Sequence, residues 1–170
     1  MENKTLTIDR IAEFRLPRYH ELPDVGLYLE QVTKYINGFL APLNCMDITS
    51  SMVSNYVKQK LIKSPTKKQY SASQIAELFF IAITKKVLSI ENIGMMFQMI
   101  DAPETIVSAY DYFCTEFENK IFSAFGYSDK MSPVTADFSK ERLMLDEIIS
   151  ASTNVIHLDF FFRVLKSNNE

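Results

Sequence analysis

The chain has 170 residues, 47% of them hydrophobic, with only four glycines and six prolines. That is enough apolar material for a core and too little turn chemistry for a many-stranded β fold, so long helices are expected. The net charge is −3, which does not forbid nucleic-acid binding, because binding depends on where the charges sit. The two cysteines, Cys45 and Cys114, are far apart and lack metal-ligand spacing. No apolar run is read as long enough to span a bilayer, and the N-terminus MENKTLTIDRIAEF lacks a signal peptide's apolar centre. A soluble cytoplasmic protein with reduced thiols, not associated with membrane, is expected.

Residues 1–23, with Pro17 and Pro23, read as an extended arm with one helical turn near Ile8–Phe14. Asp24 reads as the N-cap of a first helix, with Val25, Tyr28, Leu29, Val32, Ile36, Phe39 and Leu40 at helical spacing. Ala41–Pro42–Leu43–Asn44 ends it. A second helix starts at Thr49 or Ser50 and buries Val53, Tyr56 or Val57, and Leu61, leaving Ser51, Ser54, Asn55 and Lys58 outside. Lys63–Ser64–Pro65–Thr66–Lys67–Lys68 reads as a short hairpin, with Pro65 at a bend or edge. Ser71-x-x-Gln74 is a capping box for a helix to Val87, and Ser89 caps a shorter one with Ile90, Ile93, Met96 and Phe97 as its stripe. Pro103 and Glu104 open a long helix to about Phe125, carrying Ile106, Tyr110, Phe113, Phe117 and Ile121 on one face. After the turn at Gly126–Lys130, a helical pattern resumes at Ser139 through Leu143, Leu145, Ile148 and Ile149. The tail Ile156–Leu165 fits helix or strand. The division expected is an arm (1–23), a DNA-binding region (24–100) and an α-helical dimerisation or effector region (101–170), with no flexible linker between the last two.

From Ile48 to Ala76 the chain carries Lys58, Lys60, Lys63, Lys67 and Lys68 and no acidic residue, so everything outside these five sums to −8. A basic island in an acidic chain has the form of a phosphate-contacting surface. The plainer reading is a solvated lysine-rich loop. What separates the two is order: a helix whose outer face is small and polar can enter a major groove, and Asn55 can pair with an adenine edge.

That order resembles the winged helix-turn-helix of MerR-type bacterial regulators. Val53-Ser54-Asn55-Tyr56 stands in that family's apolar-Arg-Tyr-Tyr core, Lys58 follows, and Leu61-Ile62 takes the Leu-Leu position. Lys68-Gln69-Tyr70-Ser71 closes the wing, and Leu88-Ser89-Ile90-Glu91-Asn92-Ile93 matches the turn after the next helix. Ser54 stands at the usual arginine and Asn55 at the first tyrosine; the wing is shorter, and a long helix and an eight-residue loop precede it. Over its whole length the chain resembles an uncharacterised bacterial family, domain of unknown function eighteen thirty-six, through Leu16-Pro17-Arg18-Tyr19-His20-Glu21-Leu22-Pro23-Asp24 and the segment after it. The resemblance implies a mainly α fold with a MerR-like winged helix-turn-helix, a short β wing and an α-helical C-terminal half. It implies no biochemical activity.

Other constellations are weaker. His157-x-Asp159 is two residues apart, a spacing suited to a strand, and is read as chance. Cys114 lies among Tyr110, Phe113 and Phe117 and reads as a buried thiol. Asp146 and Glu147 are adjacent and point in different directions on a helix. No phosphate-cradling glycine loop or nucleophile elbow is present, so neither an enzyme nor a cofactor is expected. The aromatic residues of the second half, Phe138 among them, read as core or as an effector pocket. Phe160-Phe161-Phe162 cannot all point inward on a helix, which favours a homodimer.

The expected function is a regulator that binds duplex DNA as a homodimer. Ser50, Ser51, Ser54 and Asn55 would face bases; Lys58, Lys60, Lys63, Lys67 and Lys68 would contact phosphate; Tyr56 and Tyr70 would brace or hydrogen-bond at the backbone. The alternatives are a protein-interaction module that keeps the winged-helix shape and a small-molecule sensor.

Overall fold

The computed structural model describes residues 10–44, 47–100, 103–134 and 139–168, and of 103 and 104 the backbone only. Ile8, Cys45, Phe138 and the Glu104 side chain therefore lie outside the described residues. The protein is mainly helical with one small antiparallel sheet.

Strand β1 (Leu27–Tyr28) leads directly into helix α1 (Leu29–Leu40). The helix therefore begins later than the Asp24 cap expected from sequence. Val25 is 71% and Tyr28 51% exposed, whereas Val32, Ile36 and Leu40 form the buried face. The physical reason is strand pairing: Leu27 and Tyr28 lie opposite Tyr70 and Gln69 of strand β2 (Gln69–Tyr70). Gly26 permits the approach, because a Cβ there would lie 2.6 Å from the Gln69 Cβ. The Tyr28 amide donates to the Gln31 side chain, which caps α1 instead.

A 3-10 turn (Ala41–Leu43) and a loop lead to helix α2 (Ser50–Lys58). Asn37 of α1 fastens that loop from both sides, its amide donating to the Ile48 carbonyl at 2.8 Å while its oxygen accepts from the Ile48 amide at 2.9 Å. Helix α3 (Ala72–Thr84) is the centre of the molecule, with Ile75, Ala76 and Leu78 through Thr84 all buried. The Ser71–Gln74 capping box forms as expected, but the helix stops at Thr84 instead of Val87. Ser89 accepts from the Asn92 amide at the start of helix α4 (Ile90–Ile100), whose Ile93 and Met96 are buried and whose Ile90 is exposed.

Helix α5 (Pro103–Ala124) buries Tyr110, Phe113, Phe117 and Ile121; Tyr110 and Phe113 pack against Phe80 of α3, the Phe80 and Phe113 rings 4.6 Å apart, and Phe117 packs on Phe14 of the arm. Gly126, at φ +85°, turns the chain in the left-handed region where glycine costs least. Helix α6 (Lys140–Ser167) is continuous for 28 residues, so the ambiguous tail is helical. Its Leu145, Ile148, Ile149, Ser152 and Ile156 face inward, Lys86 pairs with Asp159 at 2.7 Å, and Arg163 donates to the carbonyls of Leu43 and Asn44. By length and composition alone α6 is long and apolar enough to cross a membrane, which corrects the expectation that no segment is. Its inner face is nevertheless protein core.

One apolar cluster runs from Ile11 to Ile156. The N-terminal arm belongs to it, since Ile11, Phe14, Leu16 and Leu22 are buried. The Leu16 amide and the Arg18 guanidinium converge on Glu118 of α5 at 2.7–2.8 Å, and the Tyr19 amide donates to Asp111 one face-repeat earlier at 2.7 Å. The hydrogen-bonded Glu118 raises the Arg18 pKa above its ordinary value. Burial pushes the Cys114 thiol up to about 12, in keeping with the apolar surroundings read from sequence.

Candidate nucleic-acid interface

Thr49 caps α2 by accepting from the Met52 amide at 3.2 Å, and the apolar spacing then turns Val53 and Tyr56 into the core. The opposite row, Ser51, Asn55 and Lys58, is exposed, with Ser50 and Ser54 half-buried at its edge. One further turn along the same row stands Gln59, exposed at the helix end and absent from the expected site; the i+4 step from Asn55 points to it.

The helix is closed by a Schellman arrangement. The Lys60 amide donates to Val57 at 3.0 Å and the Leu61 amide to Tyr56 at 2.9 Å, with Lys60 at φ +58°. Glycine is the usual occupant of that position. The hairpin after it turns on Lys67 (φ +50°) and Lys68 (φ +64°), closed by the Gln69 amide donating to Thr66 at 2.9 Å. Positive φ at both central residues is the signature of a type I′ turn, which favours Asn-Gly. Gln69 then pairs with Thr66 on one side and with Tyr28 of β1 on the other. The Gln74 side chain donates to the Lys63 carbonyl at 2.8 Å and ties the entry of the hairpin to α3.

All five island lysines are exposed, so the structure brings Lys58, Lys60, Lys63, Lys67 and Lys68 to the surface on and just after α2. Tyr56 and Tyr70 are different: both are buried, at 6% and 4% exposure, and burial raises the pKa of both phenols. They support the site from below. On its far side the surface is bounded by carboxylates, Glu77 and Glu91, which line a groove of about 360 Å³ with Lys60, Lys63 and Phe97.

Among the described residues no group of three or more His, Cys, Asp or Glu side chains is placed to hold a metal. The His157 ring packs at a tilt against Phe125 and Phe161, and Asp159 is engaged by Lys86, so the two do not form a joint site. Asp146 accepts from the Tyr112 hydroxyl, and burial followed by that bond pushes the phenol up to about 12.

The family model of a domain of unknown function (DUF1836) matches residues 17–113, more than half the chain. The protein belongs to that family. The DUF1836 segment starts inside the docked arm, contains the whole basic island, and ends within α5. No curated protein and no solved structure matches the chain.

Proposed function

We propose that this DUF1836 protein is a cytoplasmic, non-enzymatic DNA-binding regulator that docks on duplex DNA through a MerR-like winged helix-turn-helix. In this reading α1 and α2 are the helix pair, the Thr66–Gln69 hairpin is the wing, and β1 is its supporting strand. Ser51, Asn55 and Gln59 face base edges, with Ser50 and Ser54 at the margin, and the five lysines grip phosphate. One observation carries the reading. Three of the five island lysines, Lys60, Lys67 and Lys68, hold left-handed backbone; the remaining non-glycine case among the described residues is Asn44. Each such lysine costs about 1–2 kcal/mol relative to a right-handed position. A merely solvated face has no use for that cost, whereas an anion-contacting surface needs the cation at that place.

A second reading has its own support. Tyr28, Leu29, Pro65, Lys68 and Tyr70 line an open cleft of about 580 Å³ at the base of the hairpin, and Val25 and Tyr28 are exposed. A protein-interaction module would use that cleft. The effector-pocket alternative has less: Tyr110, Phe113 and Phe117 are fully buried and packed on one another's rings and on Phe80.

The test is fluorescence-anisotropy binding of the full chain to fragmented genomic DNA at about 50 and 200 mM salt. Selective, salt-sensitive enrichment of a few fragments is the expected result. Lys67→Ala with Lys68→Ala should weaken binding to all sequences and flatten the salt slope by about 2 units. Absence of binding at the lower salt would transfer the weight to the interaction module.

A further inference from the structure

The groove beside the basic island is built from three elements. The chain leaving α2 supplies Lys60 and Lys63, α3 supplies Glu77, and α4 supplies Ile90, Glu91, Gly94 and Phe97 at helical spacing. Cations and carboxylates therefore line one space of about 360 Å³, whose apolar portion is Leu61, Ile90 and Phe97. That volume suits a small molecule. Much of the frame is fixed in advance. Lys60 sits in the Schellman closure of α2, the Lys63 carbonyl accepts from Gln74 at 2.8 Å, and the Phe97 ring packs edge-on against Phe80 of α3 at 6.1 Å.

Gly94 calls for an explanation. It stands in the interior of α4, where glycine is the least favourable residue after proline. Neither backbone nor packing requires it. Its φ lies outside the left-handed region, and among the described residues a Cβ there would meet only the Leu61 Cδ1, at an ordinary 3.7 Å. Gly94 lines the groove, so a longer side chain at that position would occupy the groove instead.

We infer that this groove binds a small zwitterion with an apolar side chain, of the class of the free apolar α-amino acids. The ligand's ammonium lies with Glu91, its carboxylate with Lys60 and Lys63, and its side chain over Gly94 against Leu61 and Phe97. The lining selects a zwitterion because a ligand of one sign would be attracted by one set of charges and repelled by the other. Lys60 and Lys63 are also two of the five lysines proposed to grip phosphate, so an occupied groove competes with DNA for them. That coupling rests on the DNA-binding reading; the site itself does not.

Titration of the full chain with L-leucine to about 10 mM, followed by amide NMR shifts in the absence of DNA, tests the site. Saturable shifts centred on Leu61, Gly94 and Phe97 are expected, with a dissociation constant of about 1 mM or lower. Alanine, N-acetyl-leucine and leucinamide lack the large side chain, the ammonium and the carboxylate in turn, and each should bind several-fold more weakly. Glu91→Gln and Lys63→Gln should each weaken leucine several-fold, and they carry the test if Gly94→Leu does not fold. Gly94→Leu should fill the groove and abolish leucine binding while raising Tm by about 1–4 °C. Gly38→Ala, on α1 where a Cβ meets nothing within 4 Å, should raise Tm comparably and leave leucine binding unchanged. No saturable shift with leucine, equal binding of N-acetyl-leucine, or a folded Gly94→Leu variant that still binds would overturn the inference. Saturating leucine should also weaken DNA binding several-fold, and an undiminished DNA affinity would overturn the competition. A chain that binds leucine and no DNA would overturn the regulator reading alone.

Discussion

The outer faces of α2 and α6 are both exposed helix surfaces, yet they depart from what stability asks in opposite ways. The α2 face is small, polar and ringed by lysines, and water tolerates it well. What it strains is the backbone, with Lys60, Lys67 and Lys68 in left-handed conformations. The α6 face has relaxed helical backbone and strains its solvent exposure, through Leu158, Phe161, Phe162 and Leu165. The comparison teaches that unsatisfied demands take different forms. A costly conformation beneath a well-solvated charge points to a polar ligand, and a costly surface above a well-formed helix points to an apolar one.

The comparison can be broken most severely through what the two faces share. Phe80 lies at the centre of α3, with its ring against Phe97, Tyr110 and Phe113. Phe80→Ala should cost about 3–5 kcal/mol in denaturant unfolding, with both halves melting in one transition. Two separate transitions would mean that the faces belong to independently stable units. Gly26→Ala acts on one face alone. Its Cβ would press on Gln69, so it should destabilise by about 1–3 kcal/mol and shift the hairpin resonances while leaving those of α6 in place.

Smaller changes sharpen the contrast. Asn55→Ala should cost about 1–3 kcal/mol on specific DNA and far less on random DNA; equal losses would remove Asn55 from base reading. The smallest effect has the opposite sign in folding. Lys67→Asn with Lys68→Gly suits the type I′ turn and should stabilise the fold by about 1 kcal/mol while weakening DNA binding. A stabilised variant with undiminished binding would show that those two lysines are not the phosphate grip.

What the sequence revealed divides along the range of the interactions. Caps at Thr49, Ser71 and Ser89 were legible because each bonds an amide three residues away. The outer row of α2 was legible because the 3.6-residue period assigns it. Strand β1 was not, since two residues become a strand only when Gln69 and Tyr70 arrive from more than forty positions on. Where the arm docks was not legible, because its anchor, Glu118, is a hundred residues away. The tail of α6 was ambiguous because a helix apolar on both sides loses its period. Within the candidate site the lysines were found by charge, but their left-handed backbone carried no signal: neither Lys-Lys nor Gln-Lys announces a turn that glycine or asparagine usually makes.

The clamp on Glu118 has a consequence for how the protein comes into being. The chain emerges from the ribosome N-terminus first, and domains fold once their partners are available. Arg18 and the Leu16 amide meet their acceptor only after α5 is nearly complete, so the docking of the arm awaits synthesis of a segment outside the family-matched 17–113. Expressing 17–113 by itself would leave the arginine without its carboxylate and the arm without its latch. The family boundary and the folding boundary fall in different places.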